Sequence, residues 1–381
     1  MTPCTSNIKD NLPHKVSHRN AKRHKRRLEE VEREGHRSKK RTLFEHVQLS
    51  DPLPLNVDAT NFPVDSSGFS GLRSMESRRN LRRTYTLAEL KDMGFEVVQW
   101  DGCEPRPLVD STGRICGALA GMPNDPTYLQ SVDRVTEFLD VEGQALAAEQ
   151  GPPGIRGPFN NVAFGLSYGG GQTKAQRLST GKHGPFVAKI MANKDVQRIA
   201  HYADSAFQLW CPRLHAYYRE TLRKAVAKTG QPANFSRSCF AATSVNVGGH
   251  VCCYKHRDCR DLAFGWCAIT SFGRFNPHQG GHFVLWELKM VIEFPPGSTI
   301  LVPSAAFHHS NTEIDSCEKR LSITHYTTGG LFRWVENGYM SEKQMHHTDP
   351  LRYSVMNELK LTRFKKGLAM YSTIDELCAE I

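Results

Sequence analysis

Tyr254-Lys255-His256-Arg257-Asp258, Gly280-Gly281-His282-Phe283-Val284-Leu285-Trp286, Ile292-Glu293-Phe294-Pro295-Pro296-Gly297-Ser298-Thr299-Ile300-Leu301 and His308-His309 follow one another along the chain. Short runs of β-branched and aromatic residues alternate here with Gly, Pro and Asn, the texture of short strands divided by tight turns. It begins after Gly230 and continues to about Tyr326, and strands this short and numerous suggest a sandwich or a barrel. His256 and Asp258 stand two residues apart, so on a strand both side chains project from one face. They form the local half of a 2-His-1-carboxylate set, which leaves three positions open on a bound iron. The third ligand must come from elsewhere, and His309, 51 residues beyond Asp258, is the candidate, with His308 as its competing neighbour. Eleven residues after His309 comes Arg320, whose planar fork suits a bidentate grip on a carboxylate, and on a strand Ser322 shares its face. The triplet His256-Arg257-Asp258 also spells the catalytic loop of a protein kinase. Ala263 stands where that loop needs Asn, however, and no Asp-Phe-Gly or Val-Ala-Ile-Lys segment occurs.

N-terminal to this region the periodicity is helical. Thr86-Leu87-Ala88-Glu89 has capping-box spacing, and Gly94 can end the short helix. Strands are expected at Phe95–Trp100, Arg106–Asp110 and Arg114–Ala120. A helix follows from Asp125-Pro126, with Leu129, Val132, Val135 and Leu139 on one face. Two longer helices start after Asn193 (Val196, Ile199, Ala200, Ala203, Phe207) and after Cys211 (Leu214, Tyr217, Tyr218, Leu222), their apolar faces suited to packing on a sheet. Leu351–Leu377 returns to helical character, with Val355, Leu359 and Phe364 before a boundary at Ser372-Thr373. The expected organisation is a disordered basic tail over residues 1–50, a Pro/Asp/Ser/Gly-rich linker over 51–84, a folded domain over 85–345, and a C-terminal helical extension over 346–381.

The formal charge is +10, and Lys15 to Arg41 alone holds 12 Lys/Arg against 4 Glu, so the basicity belongs to the tail and not to the body. The runs Lys22–Arg27 and Lys39–Arg41 read as a bipartite nuclear-import signal or a phosphate-binding arm, with a solvated tail as the plain alternative. Neither a membrane span nor the apolar core of a signal peptide is present, which points to an intracellular, nuclear protein. Eleven scattered cysteines, an odd number without any Cys-x-x-Cys pair, read as reduced thiols and not as a disulfide framework or zinc site.

The chain resembles the fungal members of the TET/JBP group of 2-oxoglutarate dioxygenases. The carrying segments are those above together with 262–270 (LAFGWCAIT), 329–335 (GGLFRWV) and Ser167-Tyr168-Gly169-Gly170-Gly171-Gln172, and the similarity runs from about Thr86 to about Leu377. The resemblance implies an α+β fold, a double-stranded β-helix (jelly-roll) core with helices packed on one face. It implies Fe(II), 2-oxoglutarate and O2 as cofactors, with ascorbate as reductant in vitro. His256, Asp258 and His309 would hold the iron, His309 being preferred to His308 because the family's ligand directly precedes Ser310-Asn311. Arg320, helped by Ser322, would bind 2-oxoglutarate. Ile323 and His325 stand where relatives usually have Phe and Gln, and Cys252-Cys253 replace the usual residues before the ligands. The implied reaction oxidises the methyl group of a modified pyrimidine, 5-methylcytosine in methylated duplex DNA, giving succinate and CO2. The target base would be flipped from the stack. Asp261, near the metal, could read a cytosine amino group, or cap a turn, or pair with Arg260; Arg257 and Lys255 could contact phosphate. The glycine loop at 169–171 could let backbone approach DNA, or serve a tight turn. The alternatives are a 2-oxoglutarate oxygenase acting on protein or a small metabolite, and a catalytically silent DNA- or chromatin-binding relative. No partner protein is legible.

Overall fold

The structure, a computed structural model, describes residues 44–73, 82–147 and 156–379; the basic runs of the tail lie outside these residues. Two mixed sheets dominate an α+β body. The larger has the order β1-β3-β4-β11-β8-β13-β7-β5-β6, with β1 Leu53–Pro54, β3 Arg106–Val109, β4 Ile115–Gly121, β5 Asn160–Ser167, β6 Gln176–Arg177, β7 Ala242–Val247, β8 Cys267–Arg274, β11 Thr299–Val302 and β13 Lys319–Tyr326. The smaller has the order β12-β9-β10-β2, with β2 Glu96–Val98, β9 Phe283–Leu285, β10 Met290–Ile292 and β12 His309–Asn311. The β-rich texture read after Gly230 therefore supplies the centres of both sheets.

Alternation along β13 sorts its side chains by layer. Leu321 and Ile323 face outward and are buried with Val245, Val247 and Phe272 against the helices α2 (Pro126–Ala147), α3 (Gly184–Ala192) and α4 (Lys194–Trp210). The opposite face carries Arg320 and Ser322, with Ser322 directly across from Asn246 on β7 and Ser271 on β8. Inward residues of the smaller sheet, Phe283, Leu285 and Ile292, join Ile269, Ile300 and Val302 of the larger one in a single core. The helices thus cover one face of the larger sheet, and the other face looks into the interior.

The local signals act as their chemistry dictates. Thr86 and Glu89 form the reciprocal capping box of α1 (Leu87–Asp92), and Gly94 adopts a φ of +78° just beyond its end. The Asn193 side chain accepts from the backbone N–H groups of Asp195 and Val196 to start α4. Pro212 opens α5 (Pro212–Thr229), and Gly230 in a left-handed conformation closes it. One face was misjudged: on α2 the buried aromatic is Tyr128, while Leu129 is 49% exposed. Val355 on α6 (Pro350–Leu368) is likewise exposed.

The expected linker is a larger correction. Residues 51–73 are packed into the body: β1 pairs in parallel with β3, and Leu53, Leu55, Ala59, Phe62 and Phe69 are buried in the main core. Val47, placed by sequence in the tail, is buried as well. These residues contribute isolated anchors to a surface made by distant parts of the chain, so no periodicity announces them. The segment after 345 is also part of the body, since Leu368, Tyr371 and Leu377 join the main core and Arg363 donates to the Ser67 carbonyl (2.6 Å). Every cysteine among the described residues is unpaired, and no helix among them is long and apolar enough to cross a membrane.

Candidate metal centre

His256 and Asp258 do not lie on a regular strand, contrary to the alternation argument. His256 makes an isolated antiparallel bridge to His309, its N–H donating to the His309 carbonyl (3.0 Å) and the His309 N–H donating back (2.8 Å). Asp258 is held through its backbone N–H on the Ser304 carbonyl (2.9 Å), and its own carbonyl accepts from Asp261 N–H (2.8 Å) to close a turn. Tertiary hydrogen bonds to the segment before β12, and not strand pleating, make the side chains converge.

The convergence is tight. One ligand atom from each of His256, Asp258 and His309 lies within 4.8 Å of the others, with His256 Nε2 3.9 Å from Asp258 Oδ1 and His309 Nε2 3.7 Å from Asp258 Oδ2. Each imidazole places Nδ1 on a backbone carbonyl, His256 on Tyr254 (2.7 Å) and His309 on Phe307 (3.1 Å). A carbonyl can only accept, so Nδ1 carries the proton and Nε2 presents a lone pair to the centre. Burial lowers the His256 imidazole to about 3, helped by neighbouring His309, and burial lowers His309 too. Burial pushes the Asp258 carboxyl up, but Arg156 and the two imidazoles outweigh it and hold it at about 2. At neutral pH the set is therefore two neutral imidazoles and one carboxylate, the protonation state that a divalent cation needs. His308, the rejected neighbour, is turned away onto Glu287 (Nδ1 to Oε1, 2.6 Å).

Arg156 went unnoticed in the sequence. Its Nη2 donates to Asp258 Oδ1 (2.5 Å), and its backbone carbonyl accepts from Tyr254 N–H (2.7 Å), so it braces the ligand loop twice. Nothing local marks it, because it sits in the Gly/Pro-rich segment Gly154-Ile155-Arg156-Gly157-Pro158, 102 positions from Asp258.

Arg320 and Ser322 lie deeper, on the inward face of β13. Arg320 is 1% exposed; one Nη donates to the Val251 carbonyl (2.9 Å), Nε has no partner, and no acid lies within ion-pair distance among the described residues. Burial alone pushes its guanidinium down, while the nearby Cys253 and Cys252 oppose that. A path of rings links it to the centre: the guanidinium lies 5.8 Å from the Phe294 centroid, Phe294 meets Phe283 edge-on (6.0 Å), and Phe283 stacks on His309 (5.6 Å). Ser322 Oγ accepts from Asn246 Nδ2 (2.9 Å).

The centre opens to a cleft of about 750 Å³ whose walls include Arg73, Arg82, Lys255, Arg257, Arg260, Tyr168 and Tyr326, together with His256, Asp258 and Asp261. Arg257 has its Nε buried without a partner, and the Lys255 ammonium lies 4.7 Å from the Trp286 ring. The Asp261 side chain turns to Ser304 and not to Arg260 or the following turn: Ser304 Oγ donates to its Oδ2 (3.5 Å), and burial and the adjacent Asp258 raise its carboxyl well above the usual range. The glycine loop forms one wall, and Gly169, Gly170 and Gly171 all have positive φ in open space, so it is the turn itself that demands glycine.

The donor set fits a divalent transition metal, and a buried guanidinium with an orphaned donor and no acid fits an anionic carboxylate co-substrate. Comparison with family models and with curated proteins finds no match. Among solved structures the chain is similar to NgTET1 in complex with 5mC DNA, at 13% identity and a TM-score of 0.42, covering 64% of this chain and 89% of that one. It is also similar to a 2OG-Fe(II) oxygenase family oxidoreductase from Burkholderia pseudomallei (14%, TM-score 0.30, 68% and 94%). A third is the viral collagen prolyl hydroxylase vCPH from Paramecium bursaria Chlorella virus-1 (17%, TM-score 0.19, 23% and 57%). At these values the likeness decides nothing about chemistry, which rests on the donor atoms themselves.

Proposed function

We propose that the chain is an Fe(II)- and 2-oxoglutarate-dependent dioxygenase built on a double-stranded β-helix, oxidising the methyl group of 5-methylcytosine in DNA and releasing succinate and CO2. The observation that carries the reading is the pairing of two sites: a His256–Asp258–His309 donor set of two neutral imidazoles and one carboxylate, and a buried Arg320 that lacks any acid of its own among the described residues. Bound there, iron with 2-oxoglutarate and O2 would supply the oxidising power for a C–H bond.

The protein's own tasks follow from its geometry. The Tyr254 and Phe307 carbonyls fix the two Nε2 lone pairs, and Arg156 limits rotation of the Asp258 carboxylate. Arg320 and Ser322 would anchor the distal carboxylate of the keto acid, with Phe283 and Phe294 keeping water from the space beside it. A base inside a duplex cannot bring its methyl to this depth, so the nucleotide would have to flip into the cleft. The arginines and Lys255 on the cleft wall suit the flanking phosphates, and Asp261, which lines the same cleft, would meet the edge of the base. The basic wall favours a polyanionic substrate over an uncharged metabolite. A nuclear location agrees with that substrate and with the basic tail.

The deciding experiment incubates the chain with Fe(II), 2-oxoglutarate, ascorbate and methylated duplex DNA, and measures nucleosides and succinate by mass spectrometry. Oxidised 5-methylcytosine matched by succinate is expected. Succinate formed only with a peptide or small-molecule substrate would redirect the assignment to that class. DNA binding without succinate from any substrate would identify a silent relative.

A further inference from the structure

A second cluster of ligand-type side chains lies under the other face of the larger sheet. Asp204 on α4, His215 in the first turn of α5 and Cys239 just before β7 bring one ligand atom each within 4.8 Å of the others. All three are buried, at 7%, 2% and 1% exposure. Asp204 Oδ1 accepts from the Cys239 backbone N–H (2.7 Å) and lies 2.9 Å from His215 Nε2. Two further imidazoles flank the group: His201, one turn before Asp204 on the same helix, and His325 on the outward face of β13. The Nε2 atoms of both are buried without a hydrogen-bond partner, and both rings lie within electrostatic reach of Asp204.

We infer that Asp204, His215 and Cys239 form a structural zinc(II) site. The donor types are the argument. One sulfur, one imidazole nitrogen and one carboxylate oxygen make a borderline-soft set that suits zinc, whereas the set on the other side of the sheet has no sulfur and suits iron. Charge points the same way, because a dication held by one carboxylate, one thiolate and one neutral imidazole is neutral as a unit. Neutrality is what so deep a position requires, and the hydrogen bonds from His215 and the Cys239 N–H do not by themselves cancel the Asp204 charge. The His201 and His325 Nε2 atoms beside the cluster are buried without a partner, which marks this as a polar pocket in the core, although His325 Nδ1 is met by Thr243 Oγ1 (3.1 Å). The ion would tie α4 and α5 to the entry of β7, the strand that pairs with the Arg320-bearing β13. Its role is to clamp helices to the sheet, since all three donors are buried.

The test uses the full chain carrying Asp258→Ala, which disables the first centre, purified and dialysed against zinc. Metal analysis is expected to give about one zinc per chain. Cobalt(II) exchanged into the same protein should show a thiolate-to-cobalt charge-transfer absorption, which His256 and His309 cannot give. The absorption should vanish in Cys239→Ser, with at least a tenfold loss of metal affinity. X-ray absorption at the zinc edge gives a reading independent of that variant, and one sulfur at about 2.3 Å is expected among nitrogen and oxygen neighbours. Absence of retained zinc, a zinc shell without sulfur, or a cobalt band that survives Cys239→Ser would overturn the inference.

Discussion

Single side chains carry the most direct tests. His256→Ala or Asp258→Ala removes one of three protein ligands, and turnover of 2-oxoglutarate should fall below detection in a succinate assay; undiminished turnover would remove the metal assignment. Arg320→Met is expected to raise the KM for 2-oxoglutarate about 10- to 100-fold, the loss of charge-assisted hydrogen bonds of about 1.5–3 kcal/mol. Metal affinity and Tm should hold, because this buried guanidinium has no ion pair to lose. A fallen Tm with unchanged KM would make Arg320 structural. Arg156→Ala should instead weaken metal binding about 10- to 100-fold, as the loss of a partner behind a ligand usually does, and Arg156→Lys should restore part of it. The contrast between these arginines shows what a sequence can disclose. Arg320 can be proposed from sequence because it follows His309 by eleven residues on an expected strand. Arg156 acquires its meaning only when residues 102 positions apart are folded together.

Among the elements, β13 and its neighbour β8 position Arg320, the proposed anchor for the co-substrate. Gly273 sits across from Arg320 with a φ of +129°, and a Cβ there would come 2.0 Å from the Lys319 carbonyl oxygen. Gly273→Ala should therefore both destabilise, by about 1–3 kcal/mol from backbone strain alone, and loosen the grip on 2-oxoglutarate; paired Tm and KM measurements would show whether the two move together. At the start of β9, His282 is fully buried with Nδ1 on Thr312 Oγ1 (2.7 Å) and Nε2 unpartnered, and burial lowers its imidazole to about 4. The unfolded chain therefore binds this proton more readily than the folded one. Its contribution to stability is complete above about pH 6.5 and is lost as the pH falls through about 4. Denaturant titrations across that window should show a shallower acid decline in His282→Gln than in the parent. Strand and helix types were largely legible because capping boxes, prolines and glycines act locally. The His-x-Asp geometry was not: strand alternation was the wrong reason for a convergence that a bridge to His309 and a bond to Ser304 produce.

For the whole molecule, the consequential feature is the packing of residues 51–73, which composition had marked as linker. Phe62 meets Phe307 edge-on (5.0 Å), Ser70 bridges Leu262, the Phe69 carbonyl accepts from Ala263 N–H (2.9 Å), and Gly71 packs so closely that a Cβ would sit 2.4 Å from the Ala305 carbonyl oxygen. Phe69→Ala should cost about 3–5 kcal/mol, read by denaturant unfolding. Removal of residues 1–43, which carry the basic runs, should flatten the salt dependence of any DNA binding. The segments that flank the two histidines thus lean on chain that precedes the recognisable motifs. A transcript beginning after residue 73 would still encode every donor atom and the anchoring arginine, yet its product would lack the buttress beneath them. Inventories of motifs would score such an isoform as intact, and a metal titration would reveal it as a casualty.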